Sequence, residues 1–255
     1  MKNLDIKIIV NADDFGKDER TTLAIAESFS KGYVNQTTLM VNMPWSEKAV
    51  ELAKREGFAD KIGLHLNLTE GLPLTEGMRE NRLYCGDDGF FNKGFCQARH
   101  LLRPYSGNER RCLRDEITAQ VEKYVSFGLP LMHCDSHHNI HFGMPLMLVL
   151  LPELRKRNFQ SIRMTTTGSK NCKIGMGHKV RNIVSRSLFK AYGLDTTDQF
   201  SDALSFEELK RGMSEGDSVE LMVHPGYDSE GRLINILDYD SVTGVTMDEI
   251  CRMGR

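Results

Sequence analysis

The chain has 255 residues, 40% of them hydrophobic and 27% charged, which is the balance of a globular protein with one sizeable core and excludes a disordered chain or a disulfide-stapled mini-protein. Thirty-three basic residues against 35 acidic ones give a net charge of −2, so no global field draws nucleic acid, and no apolar run is long enough for a membrane span. Six scattered cysteines without a C-x-x-C pair predict free thiols, and an N-terminus without a signal-peptide core predicts a cytoplasmic protein.

In chain order, Ile8-Ile9-Val10 reads as a strand covered on both faces and residues 17–31 as a helix. Residues 37–41 predict a second strand, 46–55 a helix and 62–68 a third strand, in which Leu64, Leu66 and Leu68 alternate with His65 and Asn67. A long loop from 69 to about 107 is rich in glycine and aromatics, including Tyr84, and loops of that length are commonly lids or binding elements. Leu113, Ile117, Val121 and Tyr124 fall on one face of a helix over 109–127, with Asn108 as its cap. Residues 131–135 predict a strand, Pro145 opens a helix, 161–165 form a short strand, and 179–192 are helical. A seventh candidate strand lies at 197–201, Ser205-Phe206-Glu207-Glu208 is a capping box, and 219–223 is a buried strand stopped by His224-Pro225-Gly226. Strands alternating with helices imply one domain over 1–255 with a parallel sheet, either a barrel or a doubly wound open sheet.

Charge is uneven. Residues 154–194 carry ten basic side chains and no acid, leaving 23 basic against 35 acidic residues elsewhere. Solvated or paired helix faces account for such a run; if it binds, a small anion such as a phosphorylated sugar fits better than RNA, because few aromatics accompany it.

Histidine carries the strongest chemical signal. Eight histidines spread evenly would place fewer than one in a nine-residue window, yet His133 to His141 holds four, with Asp135 among them. Neutral imidazole is the commonest ligand for divalent transition metals, and a carboxylate can add a ligand or orient a ring. Directly after the first strand, Asn11-Ala12-Asp13-Asp14-Phe15-Gly16 places two adjacent acids that point to different sides, one able to bind metal and the other to accept a proton; D-D-x-G is also ordinary turn chemistry. His65, His137 and His224 likewise lie at strand ends, and the C-terminal edge of a parallel sheet is where sites are built. His133 and Asp135 with distant His224 also match the facial triad of a non-haem iron oxygenase, although those sites usually sit on β-sandwiches.

With NADDFG (11–16), NQTTLMVN (35–42), IGLHLNLTEG (62–71), the HxDSHHxxH block (133–141) and VELMVHPG (219–226), the chain resembles the YdjC-like carbohydrate deacetylases. The resemblance implies a seven-stranded β/α barrel-like fold with parallel strands and the site at their C-terminal ends. It also implies a divalent metal held by Asp14, His65 and His137, with Asp13 as base and His224 as acid. Magnesium is the metal the family leads one to expect, while two imidazoles and one carboxylate suit zinc or another transition metal better. The expected substrate is an N-acetylated sugar or short chitooligosaccharide, plain or phosphorylated, gripped by Trp45, Tyr84 and Tyr227, with Arg163 meeting a hydroxyl or phosphate. A homodimer, and no nucleic-acid or membrane partner, complete the expectation; a catalytically silent sugar- or metal-binding protein on the same fold is the alternative.

Overall fold

The computed structural model describes residues 5–92, 104–165, 167, 175–238 and 243–249. Strands β1 (Lys7–Phe15), β2 (Gln36–Leu39), β3 (Ile62–Leu66), β4 (His133–Ser136), β5 (Ser161–Ile162), β6 (Gln199–Asp202) and β7 (Ser218–Val223) form one sheet in the order β5-β4-β3-β2-β1-β7-β6. Every pairing in it is parallel. The sheet curls until its two edges approach: Ile162 N donates to Asp195 O (2.9 Å), Asp195 N to Gln160 O (2.8 Å) and Thr167 N to Phe200 O (3.0 Å). These few bonds across the seam decide between the two predicted architectures in favour of the barrel-like one.

Helices α1 (Glu19–Ser30), α2 (Ser46–Glu56), α4 (Gly107–Ser126), α5 (Met144–Lys156) and α6 (Met176–Ala191) alternate with the strands, with shorter α3 (Glu76–Arg79) and α7 (Phe206–Lys210). The strands follow a period of two. Ala12, Leu39, Leu64, Leu66, Leu221 and Val223 join the core with helix residues such as Ile25, Ala49, Ile117 and Leu150. The alternate set, Asn11, Asp13, His65, Asp135 and Glu220, is buried in a polar interior. No helix among the described residues is long and apolar enough to cross a membrane.

Three local expectations are corrected. Helix α4 is capped by Ser106, not Asn108: Ser106 Oγ accepts from Glu109 N, and the Glu109 carboxylate accepts from Ser106 N at 2.7 Å. Ser205 forms no capping box, because its hydroxyl donates to Asp202, whose carboxylate caps the preceding 3-10 turn. The chain does not end its strands at His224-Pro225-Gly226. β8 (Pro225–Tyr227), β9 (Leu233–Asp238) and β10 (Thr243–Thr246) form a small antiparallel sheet. Pro225 is tolerated there as the first residue of an edge strand.

Four of the ten residues of the basic run are accounted for by the fold: Lys156 pairs with Glu153, Arg157 with Glu122 and Arg186 with Asp198, and Arg163 is wholly buried; Lys170 and Lys173 lie outside the described residues.

Gly16 ends the first strand with φ +82°, and a Cβ there would lie 2.9 Å from Leu39 Cδ1 and 3.0 Å from Ser46 Cα. Gly16→Ala therefore combines a left-handed backbone penalty with a clash against the start of α2, and is expected to cost about 2 kcal/mol. Urea denaturation should show a lower midpoint with an unchanged slope; an unshifted midpoint would show that the turn relaxes freely.

Candidate metal and catalytic site

A bulge builds the site. Pairing of β1 with β2 runs Asn11 to Gln36 and Ala12 to Thr37, then skips to Phe15 with Leu39, so Asp13 and Asp14 fall in an irregular register. Asp14 has φ 71°, a left-handed conformation that side chains adopt only when their surroundings enforce it. In a regular strand adjacent residues face opposite ways, as the sequence suggests for these two acids. The bulge instead brings both carboxylates into one buried network.

Asp14 Oδ1 lies 3.2 Å from His65 Nε2 and 2.8 Å from His137 Nδ1. Both imidazoles are held from behind. His65 Nδ1 is 2.7 Å from Asp135 Oδ1 and 3.1 Å from Thr38 Oγ1, and His137 Nε2 is 3.0 Å from Glu70 Oε2. Lys17 Nζ in turn reaches Glu70 at 2.9 Å. Each ring thus gives one nitrogen to a carboxylate and turns the other toward Asp14, the arrangement in which a carboxylate orients a metal-binding histidine. His65 Nε2 is buried and makes no hydrogen bond, and the donor atoms of Asp14, His65 and His137 all lie within 4.8 Å of one another. This set could hold a divalent ion, and its chemistry favours a transition metal.

Asp13 lies beside this set. Its Oδ1 accepts from Asn11 Nδ2 (2.7 Å) and Arg163 Nη2 (2.6 Å), and its Oδ2 from Arg163 Nη1 (2.8 Å). Oδ2 therefore keeps the carboxylate's open acceptor position. Arg163 also contacts Asp135 Oδ2 and Glu220 Oε1, each at 2.6 Å. His224 follows β7, its backbone N–H tied to Asn235 Oδ1 at 2.7 Å. The 3-10 turn His137–Phe142 carries His138 and Asn139 at φ 54° and 51°. Buried His141 locks that turn: its Nε2 faces Arg163 O (3.2 Å) and so donates, while its Nδ1 accepts from Ser136 Oγ (2.5 Å).

The structure thus gathers Asp13, Asp14, His65 and His137, with His224 within reach of their charges. Arg163 is 0% exposed and spent on three carboxylates, which corrects the expectation that it meets a hydroxyl or phosphate. Tyr84 is also 0% exposed, its hydroxyl donating to Glu109 O. The Tyr227 hydroxyl donates to Glu27 Oε2 at 2.7 Å and ties β8 to α1. Trp45 precedes α2 and is half-buried, with Lys48 Nζ 4.4 Å from its ring centre. The oxygenase-like triad does not form: Asp135 is engaged by His65, Thr38 and Arg163, and His133 bonds Ser161 near the start of its strand.

Sequence reasoning missed Glu70, Lys17, Thr38 and Glu220 as parts of the network. Glu220 did carry a signal, an acid in the middle of the buried run Val219 to Val223.

A family model described as YdjC-like protein matches residues 7–249. A carbohydrate deacetylase of Listeria monocytogenes serotype 4a (strain HCC23) is 33% identical over 229 residues, covering 88% of this chain and 83% of the relative. One from Brevibacillus brevis is 33% identical over 244 residues, covering 89% and 84%. The crystal structure of a protein described as a putative cellobiose-phosphate cleavage protein, from Enterococcus faecalis V583, superposes with a TM-score of 0.70 at 22% identity. It covers 98% of this chain and 94% of that one, a likeness of fold.

Electrostatics bear on how the site loads. Burial pushes Asp14 up, but the charges of His137 and His65 outweigh it and hold the carboxyl well below its usual range. His65 is pushed up to about 10, the carboxylates of Asp135 and Asp14 overcoming burial. His137 is raised as well, by Asp14 and Glu70 against burial, and Glu70 is drawn down to about 2, chiefly by its hydrogen bond from His137. In the metal-free protein at neutral pH, His65 is therefore protonated, and a cation must displace the proton on Nε2. Zinc added to the apoprotein at pH 7 should release about one proton from His65 and a further share from His137. Apparent affinity should rise with pH up to about 10. Titration calorimetry in buffers of different ionisation enthalpy checks this; an affinity independent of pH between roughly 6 and 9 would contradict it.

Proposed function

Because this chain belongs to the YdjC-like protein family, we propose that it is a metal-dependent carbohydrate deacetylase. It removes the N-acetyl group from an acetylated amino sugar or short chitooligosaccharide and releases acetate. The carrying observation is the juxtaposition of a three-residue cation site, Asp14, His65 and His137, with a separate carboxylate, Asp13, whose Oδ2 has room for a proton. A protein that only bound sugar or metal would not need the second group.

A divalent cation on Asp14, His65 and His137 would supply Lewis acidity toward the acetyl carbonyl and an attacking water. Asp13, fixed by Arg163 and Asn11, takes the proton of that water on Oδ2. His224, close enough for the charges of Asp13 and Asp14 to act on it, is the donor to the departing amine in this reading. Burial lowers its pKa although Asp13 and Asp14 pull the other way, so it rests neutral, takes a proton from solvent as negative charge grows on the adduct, and passes it to the amine nitrogen as the C–N bond breaks. Glu70 and Asp135 hold the two imidazoles in one orientation throughout. Of the expected sugar contacts, Trp45 keeps a partly exposed ring for the apolar face of a pyranose.

The support for a phosphorylated substrate is reduced to the rest of the basic run, because Arg163 is withdrawn from it. Catalytic efficiency on phosphorylated and plain diacetylchitobiose discriminates the two substrates.

Acetate release from N,N′-diacetylchitobiose, abolished by chelation and restored by metal, tests the activity itself. Asp13→Asn should lower turnover by about 10²–10⁴-fold while metal content stays intact. His224→Gln should slow amide hydrolysis by a similar factor, yet slow p-nitrophenyl acetate, whose leaving group needs no proton, by less than about tenfold. Equal losses on both substrates would remove His224 from the acid role, and full activity of Asp13→Asn would remove Asp13 from the base role.

A further inference from the structure

The opposite end of the barrel carries polar groups that this chemistry does not use. A cavity of about 340 Å³ lies among the first residues of the strands, where Ile9, Gln36, His133, Ser161 and Glu220 line it and Thr196, just before β6, closes one side. Gln36 Nε2, His133 Nε2 and Thr196 Oγ1 are all buried and make no hydrogen bond. Gln36 is 9% and His133 5% exposed. Glu220 gives Oε1 to Arg163 and also lines the cavity, where its carboxylate has acceptor capacity beyond that one bond. Folded proteins rarely leave one such atom without a partner, and here three surround one space.

The chemistry of the lining selects the ligand. His133, Asp135 and Glu220 carry donor atoms close enough for a cation. Yet Asp135 already accepts from Thr38 and Arg163, the Arg163 charge lies against Glu220, and the Gln36 amide presents hydrogens. A small anion would meet the carboxylates of Glu220 and Asp195, which outnumber the single lining ammonium of Lys7. A neutral hydroxyl both donates and accepts, so one polyhydroxyl molecule can satisfy the Gln36 amide, the Thr196 hydroxyl, the His133 nitrogen and the Glu220 carboxylate together. Ile9, Leu131 and Ile162 offer an aliphatic wall for its C–H face. The volume lies at the lower end of the roughly 300–1,000 Å³ usual for small-molecule pockets. We propose that this cavity is a second binding site, for a neutral polyol of monosaccharide size, at the N-terminal mouth of the barrel.

Ligand-observed NMR titrations with D-glucose, D-mannose, myo-inositol and glycerol test it without reference to acetate release. At least one of the four should bind saturably at millimolar concentration. Thr196→Val, which keeps the side chain's shape, and Gln36→Leu should each weaken that binding by about tenfold, with thermal unfolding confirming that both variants fold. Asp14→Asn, at the far end of the barrel, should leave it unchanged. Failure of all four compounds to saturate the parent protein would overturn the site, which would then hold water alone. So would binding that survives both cavity substitutions or disappears in Asp14→Asn.

Discussion

A single buried guanidinium underlies the organisation of this protein. Arg163 is the one fully buried Arg or Lys among the described residues, and it contacts Asp13, Asp135 and Glu220, three carboxylates from three strands. Ionised acids in a barrel interior are stable only with a counter-charge and saturated hydrogen bonds, and stripping one partner from such a set typically costs about 3–5 kcal/mol. Arg163 supplies both, and in doing so ties β1, β4 and β7 to the short β5 edge that carries it. Its Nε and two Nη atoms all point inward, so the residue is structural and electrostatic in its effect and does not reach a ligand at the mouth.

The carboxylates ordered by Arg163 order the histidines in turn. Asp135 accepts from His65, and Thr38 bonds Asp135, so ring orientation passes from the seam of the barrel to the cation site through short hydrogen bonds. Glu70 does the same for His137 from the mouth, with Lys17 beside it. The left-handed backbone at Asp14, His138 and Asn139 stores strain on either side of the ligands. Neutral His141, drawn down to about 3 by burial and by Arg163, resists protonation and keeps the turn bearing His137 pinned to Arg163 O. The result is that the side chains able to hold a cation are oriented by the surrounding network itself.

The two ends of the barrel differ in kind. At the C-terminal mouth most polar groups belong to one connected network, and the atoms without a hydrogen bond, among them His65 Nε2, face one another around the candidate cation site. At the N-terminal mouth several polar atoms lack partners and surround a cavity, and Glu220 belongs to both ends, giving one oxygen to Arg163 and lining the cavity with the rest of its side chain.

Strand and helix order, the parallel sheet and the strand-end placement of Asp13, Asp14, His65, His137 and His224 were legible in the sequence, because apolar periodicity is a local signal. The β8–β10 sheet was not, since Pro225 and Gly226 read as a stop and only pairing with β9 makes them a strand. Nor could the sequence show that adjacent Asp13 and Asp14 share one face, because that depends on a bulge defined by the register against β2. Arg163 read as a strand-end cation for a sugar hydroxyl or phosphate, and its burial follows from carboxylates 28 to 150 residues away in the chain. Charge pairing across a curled, barrel-like sheet is a property of three-dimensional proximity, and no window along the chain contains it.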